Sequence, residues 1–180
     1  VVREVDSEYV GTHVDTGNSM SVWEEPIEAI RNMAPYAMST HFKDHIVIMA
    51  SGQPVIVGVP LGQGSIDCAE AFRILAEQSP LERINIEVCY GYVTPIRIPE
   101  SEGHGAKLGA GSFRIQPPPH DPGVVAPYTS RALDADITLQ AWAWEDMAKL
   151  SRSDEEREEL LALQEQAVID SVEYVKGLNV

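Results

Sequence analysis

Three short apolar runs, Tyr9 to Asp15, Met38 to Lys43 and Ile84 to Tyr90, read as strands of a sheet covered on at least one face. Glu24 to Met33 reads as a helix, because two acidic residues and a proline stand where a first turn favours them. Asp67 to Gln78 reads as a second helix, with Ala71, Ile74 and Leu75 on one face. Between them, His45 to Ala50 and Pro54 to Gly58 flank Ser51-Gly52-Gln53 and predict a small hairpin. Helices that alternate with strands argue for parallel pairing through right-handed crossovers, so the expected class is α/β.

From Thr94 to about Ala132 the chain turns glycine- and proline-rich, including the run from Gln116 to Pro122. A segment of that length without regular structure is uncommon in a compact domain. Two helices are expected to close the chain. Asp136 to Leu150 carries Ile137, Leu139, Trp142 and Leu150 in apolar positions. Ser153 to Lys176 opens with a capping box, Ser153-Asp154-Glu155-Glu156, and continues with Leu160, Leu163, Ala167, Val168, Val172 and Val175. Core packing beneath a solvated acidic face accounts for both.

Composition narrows the function classes. The 180 residues are 44% hydrophobic, enough to bury a core. Only 13 basic residues face 28 acidic ones, a net charge of −15. Nucleic-acid binding draws its affinity from Lys and Arg on phosphates, so nucleic acid is excluded as a partner, and an anionic membrane surface with it. No apolar run reaches the roughly 20 residues that span a bilayer. Cys68 and Cys89 have no CxxC spacing, and a reducing, cytoplasmic setting is expected.

The candidate chemistry lies at the strand ends, where parallel α/β architectures place reactive groups. Asp15 closes one strand, His41 lies late in the second and Glu87 in the third. Each has a structural alternative: Asp15 as a turn residue before Thr16-Gly17-Asn18, His41 as a satisfied core histidine. Glu87 fits its alternative worst, since a glutamate between Ile86 and Val88 is costly to bury without a cation or hydrogen-bond partners. Two carboxylates and an imidazole from separate strands suit Mn²⁺, Co²⁺, Mg²⁺ or Zn²⁺ without choosing sharply among them. A period of two turns His13 and Lys43 to the same face as Asp15 and His41.

Four of these segments carry a family resemblance. Val10-Gly11-Thr12-His13-Val14-Asp15-Thr16-Gly17-Asn18, Thr40-His41-Phe42-Lys43-Asp44, Gly58-Val59-Pro60-Leu61-Gly62-Gln63-Gly64 and Ile86-Glu87 resemble, in order, motifs of the xylose isomerase-like TIM barrel superfamily. That superfamily includes sugar phosphate isomerases and ketose 3-epimerases. The resemblance implies the C-terminal part of a (β/α)8 TIM barrel, about three βα units over residues 1–93, followed by a loop-rich extension and C-terminal helices over 94–180. It implies one divalent metal ion, Mn²⁺ first, held by Asp15, His41 and Glu87. Glu87 would also transfer a proton, and Asn18, His13 and Lys43 would contact substrate.

The expected activity is that of a metal-dependent sugar isomerase or epimerase, working through an enediolate on a ketose-like substrate. A lyase acting on a 3-keto sugar, either dehydratase or deglycosidase, begins with the same proton abstraction. A non-catalytic fragment or subunit is the reading from another class. The family's fourth ligand, a glutamate ending the preceding strand, has no counterpart, because Val1 to Glu8 reads as the end of a helix. The expectation is therefore a longer polypeptide or a partner chain that supplies the first barrel half, with homo-oligomerisation left open. The apurinic endonuclease branch is excluded: Asn18 stands where it has histidine, and Ile56-Val57-Gly58-Val59-Pro60 lacks its extra ligands.

Overall fold

The structure, a computed structural model, describes residues 1–50, 52–88, 90, 92–96, 98–117 and 154–178. The helix expected over Asp136 to Leu150 and most of the glycine- and proline-rich run lie outside the described residues.

A short helix α1 (Val2–Val5) leads into β1 (Thr12–Asp15), and a 3₁₀ turn (Asn18–Val22) leads into α2 (Pro26–Met33). Pro26 begins α2, where its missing N–H breaks no intrahelical bond. Strand β2 (Ala37–His41) pairs in parallel with β1, setting His13 beside Ser39, Val14 beside Thr40 and Asp15 beside His41. The chain passes through Phe42 and Lys43 into β3 (Asp44–Ala50), then turns back as β4 (Gln53–Val59). Gly52 takes a positive φ of 80° at that turn, a conformation glycine adopts without steric cost. The expected hairpin is present. Helix α3 (Cys68–Gln78) follows, its first turn capped by the Asp67 carboxylate on the Glu70 N–H.

The expected part of a (β/α)8 barrel is not the architecture found. The larger sheet is antiparallel: β5 (Val93–Pro95) adds to β4, giving the order β3-β4-β5. Among the described residues the one parallel ladder is β1 with β2; isolated parallel bridges join Phe42 to Ile86 and Val47 to Ile115, and the former is what the stretch expected as a third parallel strand, Ile84 to Tyr90, contributes. The physical reason lies in the hairpin. Once β4 folds back on β3, its outer edge needs backbone partners, and Val93–Pro95 supplies them from a segment that reads as loop.

Both faces of the antiparallel sheet are covered, which explains why β3 and β4 are apolar at consecutive positions rather than alternate ones. Val47 and Ile56 join the main core with Val14, Phe42, Ile30, Ile74 and Phe113. Ile46, Ile48, Val55, Val57 and Val93 form a second cluster against Tyr90 and Leu163. Leu163 belongs to α4 (Asp154–Gly177), the helix expected from Ser153 to Lys176. It is fixed by Ser171, whose hydroxyl accepts the Leu61 N–H at 3.1 Å and donates to the Ala167 carbonyl at 2.6 Å. Among the described residues no helix is long and apolar enough to cross a membrane.

Candidate metal centre

The strand period decides which side chains meet. Val14, Thr40 and Phe42 turn inward and are fully buried. Their neighbours His13, Asp15, His41 and Lys43 turn to the opposite face. Phe42 extends the parallel pairing by one step: its N–H donates to the Asn85 carbonyl at 2.8 Å, and its carbonyl accepts the Glu87 N–H at 3.0 Å. Glu87 therefore joins the same face although no regular strand carries it.

The two oxygens of Asp15 have separate tasks. Oδ1 accepts the N–H groups of Gly17 (3.3 Å) and Asn18 (3.2 Å), closing the turn after β1. Oδ2 points to the ionic cluster, 3.8 Å from His41 Nδ1 and 2.8 Å from Lys43 Nζ. Glu87 Oε2 lies 3.4 Å from His41 Nδ1 and is also in contact with Lys43 Nζ. The structure thus brings together the three expected ligands, Asp15, His41 and Glu87, and seats an ammonium between the two carboxylates. Lys43 is held from its backbone: its N–H donates to Thr16 Oγ1 (2.8 Å), and Thr16 Oγ1 donates to the Lys43 carbonyl (2.7 Å). Its side chain is 8% exposed.

His13 stands nearer solvent. Its ring meets that of His41 edge-on at 4.3 Å, and its Nδ1 shares a hydrogen bond of 2.7 Å with Ser39 Oγ, leaving Nε2 available. His13, Asp15 and His41 each offer one donor atom such that all three lie within 4.8 Å of one another. Donors on one tetrahedral ion with bonds of about 2.0–2.2 Å stand about 3.3–3.6 Å apart, so closure draws the side chains together by up to about 1.5 Å. The donor types, two imidazoles and a carboxylate, are those that hold a divalent cation once the side chains close in. Asn18, the remaining expected substrate contact, is exposed on the wall of an open cleft of ≈ 460 Å³ beside His13, Asp15, Glu24, Asn32 and Met33. That volume is within the range of about 300–1,000 Å³ common for small-molecule sites.

Three residues that organise the surroundings carried no assignment in the sequence. Asp44 is buried, and its carboxylate accepts four backbone N–H groups: His45 and Ile66 on Oδ1, Gly62 and Gly64 on Oδ2, at 2.8–3.2 Å. It thereby ties the Pro60–Ile66 loop to β3. Burial pushes its pKa up from 3.8 to about 6, against the lowering effect of its hydrogen bonds. His45 is buried with neither ring nitrogen hydrogen-bonded, and its ring packs on Gly17. Burial, aided by the Lys43 charge, lowers its pKa from 6.5 to about 4, so the ring is neutral near pH 7. Thr16 is the third. Its role depends on a partner 27 residues away, which no local pattern announces.

Compared with protein-family models, with curated proteins and with solved structures, the chain matches none.

Proposed function

We propose that this face is the catalytic site of a divalent-metal-dependent enzyme that moves a proton beside the carbonyl of a ketose-like sugar, as an isomerase or epimerase. The observation that carries the reading is the convergence of His41 Nδ1, Asp15 Oδ2 and Glu87 Oε2, from three separate segments, at 3.4–3.8 Å from the imidazole nitrogen. The likeness of these segments to sugar isomerase motifs supports the roles, independently of the barrel architecture.

Asp15 and His41 are the shared ligands of the centre, and both Glu87 and His13 lie close to them. A divalent cation there, Mn²⁺ first, would polarise a hydroxy-ketone and acidify its neighbouring C–H. Glu87 is the proton acceptor and donor. Its side chain is 38% exposed, so it can reach substrate, and its Oε2 is in contact with the Lys43 ammonium. Lys43 stabilises negative charge that develops on substrate oxygen. Asn18 and His13 bind hydroxyl groups from the cleft.

Cytoplasmic operation belongs to the same proposal. Cys68 is buried, and burial, with Asp44 beside it, pushes its thiol well above the ordinary range, which makes it unreactive. The test is exchange of the substrate's α-hydrogen with D₂O, followed by NMR for a panel of ketoses with added Mn²⁺. Exchange that E87Q abolishes while leaving the circular dichroism unchanged supports the proposal. Undiminished exchange in E87Q removes Glu87 from its role, and aglycone release from keto-glycosides without epimerised sugar transfers the site to the lyase class.

A further inference from the structure

Lys43 and a metal ion compete for the same oxygens. The ammonium sits 2.8 Å from Asp15 Oδ2 and in contact with Glu87 Oε2, the two atoms that flank His41 Nδ1. Its position is built rather than incidental. The side chain is almost fully enclosed, and the reciprocal hydrogen bonds between Thr16 and the Lys43 backbone fix where the chain starts. A divalent ion placed between the two carboxylates would share both of its oxygens with this ammonium. Two like charges that close repel each other strongly, and the enclosure of the Lys43 side chain limits screening by water.

A second set keeps Asp15 and His41 but has His13 in place of Glu87, so an ion there meets only one of the two carboxylates that Lys43 contacts. His13, Asp15 and His41 have donor atoms within 4.8 Å of one another, and His13 and Asp15 both line the open cleft. His13 also has the arrangement expected of a metal-binding imidazole. One nitrogen is engaged by a neighbouring side chain, Ser39 Oγ at 2.7 Å, which orients the ring and leaves the other for the metal.

We propose that Lys43 is a resident cation that excludes the metal from the Asp15–Glu87 gap and directs it to His13, Asp15 and His41, leaving Glu87 paired with lysine as a ligand-free acid/base. This deepens the proposed function and rests on the metal reading given there. His13 then changes role, from a substrate contact to a ligand. Glu87 keeps its proton-transfer role because its carboxylate is not consumed by coordination. The centre has two positions for positive charge, one filled by the chain itself and one open to the cleft.

The experiment is calorimetric titration of the full chain, stripped of metal, with Mn²⁺ and separately with Co²⁺. It uses wild type, H13A, E87Q, K43M, K43M/H13A and K43M/E87Q, each checked for fold by circular dichroism. In wild type, H13A is expected to weaken binding at least tenfold and E87Q less than threefold. Removing the lysine charge should tighten binding at least tenfold and exchange the dependence, so that E87Q weakens the K43M background at least tenfold while H13A weakens it less. The proposal is overturned, with the metal centre intact, by a wild-type protein in which E87Q costs as much affinity as H13A. It is also overturned by a K43M protein that binds no tighter than wild type. Absence of binding in wild type and K43M alike overturns both the proposal and the metal centre beneath it. The S39A variant supplies a check that does not remove a ligand: a three- to tenfold loss in wild type, with no loss in K43M, supports His13 as the oriented ligand, and an equal loss in both counts against it.

Discussion

Asp44 and His45 are adjacent, both buried, and oppositely perturbed, which makes their effect on stability separable by pH. For Asp44 the folded pKa, about 6, lies above the ordinary 3.8. The folded state therefore binds the proton more tightly, and the associated stability is fully present below pH 3.8 and lost as pH rises through 6. His45 behaves in the opposite sense: its folded pKa, about 4, lies below the ordinary 6.5. Its stability is present above pH 6.5 and lost as pH falls through 4. At about 1.4 kcal/mol per pH unit of displacement, each group is worth about 3 kcal/mol. The two nearly cancel between pH 4 and 6.

That cancellation is the reason to measure variants rather than wild type alone. D44N removes the acidic titration and H45L the basic one, and urea unfolding from pH 4 to 7 at fixed ionic strength gives each difference from wild type, so that other carboxylates drop out. The stability of D44N relative to wild type should rise by about 3 kcal/mol between pH 4 and 6, while that of H45L should fall by about as much between pH 4 and 6.5. Three per cent exposure of His45 and one per cent of Asp44 leave little solvent screening to reduce these values. A pH-independent D44N difference would refute the reasoning for Asp44, because it would mean that four backbone N–H donors outweigh the cost of burial and keep the carboxylate ionised throughout. A flat H45L difference would equally show that the imidazole finds a partner in solution.

Two further substitutions probe the frame around the centre. At Gly17 an added Cβ would overlap the His45 ring, so G17A should lose roughly 1–3 kcal/mol of stability in urea unfolding, and H45A combined with it should recover part of that loss. S171A leaves the buried Leu61 N–H without its acceptor and should cost roughly 1–3 kcal/mol, with hydrogen exchange accelerated at Leu61 and along α4. Unchanged exchange at Leu61 would show that the hydroxyl is not what docks the helix.

The elements that were legible in the sequence are those with enough residues to show a period. The period of two through His13-Val14-Asp15 and His41-Phe42-Lys43 puts His13, Asp15, His41 and Lys43 on one face, opposite the buried Val14 and Phe42, and Ser51-Gly52-Gln53 marks the hairpin. The third parallel strand was over-read. Ile84 to Tyr90 has strand-like composition, but among its described residues Ile86 alone forms a bridge, because Phe42 is the last residue of the parallel stretch before the chain enters the antiparallel hairpin. The strand that completes that hairpin, Val93–Pro95, has three residues and no readable period. Class assignment failed for that reason: alternating helices and strands predict parallel pairing only when the hairpin is treated as an insertion, whereas here it nucleates the larger sheet.

The candidate centre shows the same division between local and long-range information. Asp15, His41 and Lys43 are placed by register, and sequence period alone turns them to one face. What period cannot supply is depth. Lys43 lies only two residues beyond His41, yet it is enclosed while the His41 side chain is 45% exposed, because Thr16 draws the Lys43 backbone inward from the far end of the neighbouring strand. A lysine read as a flexible contact for substrate oxygen is thereby converted into an internal counter-ion for two carboxylates. The consequence reaches back to the ligands themselves. A carboxylate pair that already shares an ammonium carries one uncompensated charge instead of two, so a half-exposed Glu87 is tolerated without coordination. The remaining case for a metal then rests on the donors that Lys43 does not satisfy, the imidazoles of His13 and His41, and it is these that a metal titration must find.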